Sequence, residues 1–138
     1  MSKFVETAYG STKEILKFPD HYVALAVMVD DTGVTAVNGK KIVPKGTIVG
    51  GKENSVLTAL DEPVADKFVA ATEEPEADAS ATGAEGVLLN DVDVTYGPKE
   101  GAMLIHGFVA IDKLPYGEEN EDAAEVAGEL LPMIKFIK

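Results

Sequence analysis

For most of its length the chain alternates short apolar runs with turn residues. Tyr22 to Val29, YVALAVMV, is the strongest run. It is continuous rather than alternating, which predicts a strand covered on both faces. Asp30-Asp31-Thr32-Gly33 is a turn. Val34 to Val37 reads as a short strand, Asn38-Gly39 as a hairpin turn and Lys41 to Val43 as the return. Pro44-Lys45-Gly46 turns again before Thr47-Ile48-Val49, and Gly50-Gly51 closes the segment. Ser55 to Leu60 and Lys67 to Ala71 are weaker strand candidates, split by Pro63. Val87, Leu88 and Leu89 lead into Val92 and Val94. Tyr96-Gly97-Pro98 then breaks the run, and Ala102 to Ile111 returns as the second arm of a hairpin. Many short strands with frequent turns predict a sandwich or barrel.

The period changes near the C-terminus. Over Glu118 to Leu131, Ala123, Val126, Ala127 and Leu130 recur at helical spacing and give one apolar face. Acidic residues crowd the first turns, where the helix dipole favours them. Pro132 ends the helix, and Met133 to Ile137 alternates as a terminal strand. Residues 1–20 read as a flexible arm, with one or two helical turns over Ser11 to Lys17, capped by Ser11 and ended by Pro19. Glu73 to Glu85 holds five carboxylates and no basic residue. It is expected to be a mobile loop, too polar to bury. The expected architecture is mainly β: a compact sandwich or barrel of short antiparallel strands with one C-terminal α-helix. It forms a single β-rich domain over 21–138, preceded by the arm.

Composition narrows the chemistry. The 138 residues fit one domain with a sizeable core. Cysteine is absent, which removes disulfides, thiolate catalysis and sulfur-ligated zinc. All 12 basic residues are lysine, so bidentate guanidinium recognition is unavailable. The formal net charge of −12 repels nucleic acid and anionic membrane. No apolar run is long enough to cross a bilayer. The N-terminus lacks the apolar core of a signal peptide, so synthesis in the cytoplasm is expected.

Several short patterns touch on chemistry. Asp91-Val92-Asp93-Val94-Thr95 matches the D-x-D-x-T of haloacid-dehalogenase-type phosphatases, in which one carboxylate attacks phosphorus and the second protonates the leaving group. The alternating α/β units that such enzymes need do not fit in the rest of the chain, so outward carboxylates at a strand end are the expectation. Asp31-Thr32-Gly33 matches the D-T-G of retroviral-type aspartic proteases, where two subunits each supply one carboxylate. Here Val34-Thr35 replaces the usual Ala-Asp, and Ile48-Val49-Gly50 follows too soon to be the buttressing segment. A polar turn is the simpler reading. Asp30, Asp31, Asp91 and Asp93 are oxygen donors of the kind Ca²⁺ prefers, but lack the spacing of a calcium loop. His21 has no partner at ligand spacing, and His106 reads as a packed residue within an apolar strand. Gly46, Gly50 and Gly51 do not form a phosphate loop. No catalytic residue, metal or cofactor is assigned.

The wording of three segments is distinctive. Ala84 to Pro115, AEGVLLNDVDVTYGPKEGAMLIHGFVAIDKLP, resembles a hairpin carried by the head decoration proteins of tailed bacteriophages. Ile42 to Gly50, IVPKGTIVG, is similar to a turn-strand of those proteins, and Leu130 to Phe136, LLPMIKF, to their ending. The resemblance implies a structural virion protein without an active site, similar to the lambda-type decoration protein. It implies attachment to the major capsid protein on the outer face of an expanded head, as a homotrimer at three-fold junctions. With the scattered apolar residues of the arm, it points to Phe4, Val5 and Tyr9 as capsid-contacting anchors. The competing expectations are a homodimeric aspartic protease using Asp31, and a partner-binding β-domain of a fibre or tail.

Overall fold

The computed structural model describes residues 15–18, 20–73 and 76–138. Phe4, Val5 and Tyr9 lie outside the described residues, as does most of Ser11 to Lys17. The described elements are β1 (Val23–Val29), β2 (Ile42–Val43), β3 (Ile48–Gly51), β4 (Pro63–Asp66), β5 (Thr72–Glu73), β6 (Glu76–Ala77), β7 (Gly86–Leu88), β8 (Val92–Asp93), β9 (Lys99–Ala110), α1 (Asn120–Leu130) and β10 (Ile134–Ile137). The fold is mainly β with a single C-terminal α-helix.

Five strands form a ring of pairings, β1–β4–β3–β7–β9, and β9 returns to β1. The closure is asymmetric. β1 runs antiparallel to β9 from Val23 to Val29 but meets β4 only at Met28 and Val29. β10 continues the sheet from the far half of β9, parallel to Gly107–Ala110. β2 and β8 form a separate ribbon.

The alternation of side chains along these strands creates two cores. Val27, Val29, Val49, Val64, Leu88 and Met103 point inward and, with Val43, Val56, Val92 and Val94, fill the ring. Their neighbours Ile48, Val87, Leu104 and Val109 point outward, where Ala123, Ala124, Ala127 and Ile134 cover them. The period of two along a strand is what allows one wall to serve both cores. Small alanines on α1 permit close approach to the sheet. The buried stripe is Ala123-Ala124-Ala127, while Leu130 turns outward to solvent.

Several expectations change. The strand over 22–29 forms, but its burial alternates: the ring covers one face only. Ile15 and Leu16, assigned to the arm, are buried, and Leu16 bridges Val109 in an antiparallel pairing rather than a helical turn. Asn38 and Gly39 both have positive φ, as a two-residue hairpin turn requires. Around them only Val37 and Lys40 bridge, because Ile42 and Val43 pair instead with β8, 50 residues on. Pro63 opens a strand rather than splitting two. As its first residue, Pro63 has no need to donate to the ladder. Residues 55–60 are turns. Described residues of the acidic segment are paired or buried as well: β5 pairs with β6, Val69 bridges Ser80, and Ala81 is buried.

Candidate functional site

The two carboxylates of the D-x-D-x-T run turn out to hold backbone. Asp91 Oδ1 accepts the Lys45 N–H at 2.8 Å. Asp93 Oδ1 accepts the Thr95 N–H at 3.0 Å and the Thr95 hydroxyl. Thr95 Oγ1 in turn accepts the Lys41 N–H at 2.9 Å. The D-x-D-x-T run therefore fastens β8 and its flanks to the segment around β2. The two hydrogen bonds from Thr95 hold the Asp93 carboxyl below its ordinary range.

Asp30 is buried at the end of β1, and its Oδ2 lies 3.2 Å from Lys52 Nζ. Among the described residues no well-aligned hydrogen bond reaches that oxygen, and Lys52 is its ion-pair partner. Asp31 begins the following turn, where its carbonyl accepts the Val34 N–H at 3.3 Å. Among the described residues no three His, Cys, Asp or Glu side chains come together as a metal cluster. The two histidines, 85 positions apart in sequence, do meet: their ring centroids are 5.2 Å apart, beside Phe108 and Phe18. The pairing of β1 with β9 brings them together, which local spacing does not reveal.

A cleft between the Asp30–Val34 turn and the segment after β9 is lined by Val34, Ile42, Ala65, Asp66 and Tyr116 among others. The Tyr116 hydroxyl accepts the Ile48 N–H at 2.8 Å and donates to Asp66 Oδ1 at 3.1 Å. Phe68 N–H donates to the same oxygen. Asp66 is exposed as a residue, but its carboxylate turns toward Tyr116. This local burial pushes its pKa up, against the hydrogen bonds that pull it down. Burial first, then the Asp66 charge, pushes the Tyr116 phenol far above its ordinary value. Tyr116 is thus a neutral strut between β3 and β4.

Comparison with protein-family models, curated proteins and solved structures finds no match for this chain.

The remaining features are surfaces. Along β1, Ala24, Ala26 and Met28 share the parity that points away from the ring, and all three are exposed. Tyr22 precedes them at the same parity and is exposed too. Ala102 on β9 lies opposite Ala26, and Pro63 on β4 is registered with Met28. The result is an apolar strip across three strands, flanked by Glu100 opposite Met28. A second prominence is the loop between β3 and β4. Neither surface carries a motif. The continuous apolar run was the only sequence sign of the first; the second depends on Glu85, thirty residues downstream of Ser55.

Proposed function

We propose that this chain is a structural virion protein that binds the outer surface of a phage capsid and stabilises the expanded head. The observation that carries the reading is the open face of β1. A seven-residue strand of only Val, Ala, Leu and Met has the composition of a strand covered on both sides. The ring covers one side, and the strip Tyr22-Ala24-Ala26-Met28 is left for another molecule. Contiguous exposed apolar surface of this kind marks contact with a partner. The three segments resembling head decoration proteins support the choice of partner. In this fold they supply β2, β7, β8, β9 and most of β3 and β10, and β9 is the strand paired along the strip.

Adhesion is the output. At roughly 25 cal/mol per Å² of apolar surface removed from water, even a modest contact becomes substantial when repeated over a shell. Association of three copies at a junction multiplies that attachment. Preferential binding to the expanded form stabilises it by mass action. The acidic surface disfavours attachment to DNA released from broken heads.

The test uses expanded heads lacking this protein. Wild type is expected to co-sediment with them at a saturating ratio of three copies per junction and to raise their disruption temperature. The Ala26→Glu, Met28→Glu variant is expected to keep its fold by circular dichroism and to lose binding. Failure of wild type to bind, or unchanged binding by the variant, overturns the assignment. Attachment to purified fibres or tails instead of heads would favour the fibre or tail alternative.

A further inference from the structure

We propose that the loop over residues 52–62 is a preformed knuckle. It seats Leu57 and Leu60 in an apolar socket with a basic rim on the capsid subunit. This inference rests on the capsid-binding reading above and adds a second contact, separate from β1.

The loop is fixed by more than its ends require. Val56 is fully buried and plugs the ring core. The Glu85 carboxylate sits beneath and accepts four hydrogen bonds. Gly51 and Val56 N–H donate to Oε1, and Leu57 N–H and the Ser55 hydroxyl donate to Oε2, at 3.0–3.3 Å. Glu62 closes the other side, its Oε1 accepting the Glu53 and Asn54 N–H groups at 2.8 and 3.2 Å. Within the loop, Ala59 N–H donates to the Ser55 carbonyl at 3.0 Å and Glu62 N–H to the Ala59 carbonyl at 2.9 Å. The chain passes so close to itself that a Cβ on Gly51 would lie 1.7 Å from the Asn54 oxygen.

All this order serves to hold two large apolar side chains in water. Leu57 is 54% exposed and Leu60 64% exposed. Leucines on a loose loop would carry little meaning, since single exposed apolar residues are common. Here the backbone is already in one conformation. A partner would gain the burial of both side chains without the cost of ordering the loop.

Charge selects the socket. Glu53, Asp61 and Glu62 flank the leucines in sequence, and the segment from 53 to 62 contains no basic residue. Lys52 at its base is engaged by Asp30. A partner surface with lysine or arginine around an apolar hollow complements this pattern, and an acidic or neutral surface does not.

Co-sedimentation with heads lacking the protein separates the possibilities. Four proteins are compared: wild type, the Ala26→Glu, Met28→Glu variant, Leu57→Asp, Leu60→Asp, and Glu85→Ala. The last keeps both leucines but removes the clasp. Thermal unfolding and circular dichroism monitor each fold. The leucine variant is expected to unfold near the wild-type temperature and to bind about tenfold or more weakly. Glu85→Ala should also bind more weakly, and wild-type affinity should fall as salt rises. Wild-type binding with an undiminished leucine variant overturns the knuckle alone. Salt-independent wild-type binding overturns the basic rim. Wild type that does not bind heads removes the capsid-binding reading, and the knuckle with it.

Discussion

Single carboxylates in this protein divide by environment rather than by sequence pattern. Asp93 and Glu62 accept backbone N–H groups and are held ionised. Asp66 is partly desolvated and pushed the other way. Its Oδ1 accepts both the Tyr116 hydroxyl and the Phe68 N–H. An amide oxygen can do the same, so Asp66→Asn retains both acceptor contacts and removes a poorly solvated charge. The variant is expected to melt no lower than wild type at pH 7. Wild type should gain relative to it as pH falls, because a raised pKa means a penalty relieved by protonation. Thermal unfolding of both proteins between neutral and acid pH checks this. Two ion pairs among the described residues sort the same way. Lys138–Glu121 is the shorter at 2.7 Å, but both groups are largely exposed and the pair contributes little. Lys52–Asp30 is longer, yet one partner is buried and would otherwise stand uncompensated.

Elements depend on a few close approaches. A Cβ on Gly86 would lie 2.4 Å from the Leu104 carbonyl oxygen and 2.5 Å from Met103 Cγ. One obstacle is backbone in the paired strand, which cannot swing aside. Gly86→Ala is therefore expected to cost about 3 kcal/mol or more, at the upper end of overpacking, and to loosen the β7–β9 pairing. Denaturant unfolding measures the first effect, and hydrogen exchange at Leu89, whose N–H donates to the Ala102 carbonyl of β9, measures the second. This level is also where sequence reading succeeded and stopped. The helix, the terminal strand, the Asn38-Gly39 turn and the return of residues 102–110 onto 86–88 follow from local period and turn chemistry. The partner of Ile42 and Val43 does not, because two-residue strands take their identity from a distant strand. The apolar run of β1 was visible; that only one of its faces would be covered was not, since coverage depends on how the ring closes. Glu85 shows the same limit. In sequence it is one acid in an acidic stretch, and only the fold places it under Gly51, Ser55, Val56 and Leu57.

At the scale of the molecule, pH acts through Glu62 and Asp93. Glu62 and Asp93 have depressed folded pKa values, so each contributes stability that is present above the ordinary carboxylate range. It is lost as pH falls through the lowered values. The whole chain also sheds part of its −12 self-repulsion on acidification, so the informative quantity is a difference. Glu62→Gln is expected to be less stable than wild type at pH 7, with the gap closing below about pH 4. Melting temperatures of the pair from pH 7 to pH 3 report it. Among the described residues no helix is long and apolar enough to cross a membrane. Finally, β9 is the strand on which everything converges: it bonds β1 and the Ile15–Lys17 segment on one side and β7 and β10 on the other. These partners span nearly the entire described chain. A nascent polypeptide therefore cannot finish its wall until residues 134–137 have left the ribosome. Such distant pairings place refolding on the slow, millisecond-to-second side of single-domain kinetics.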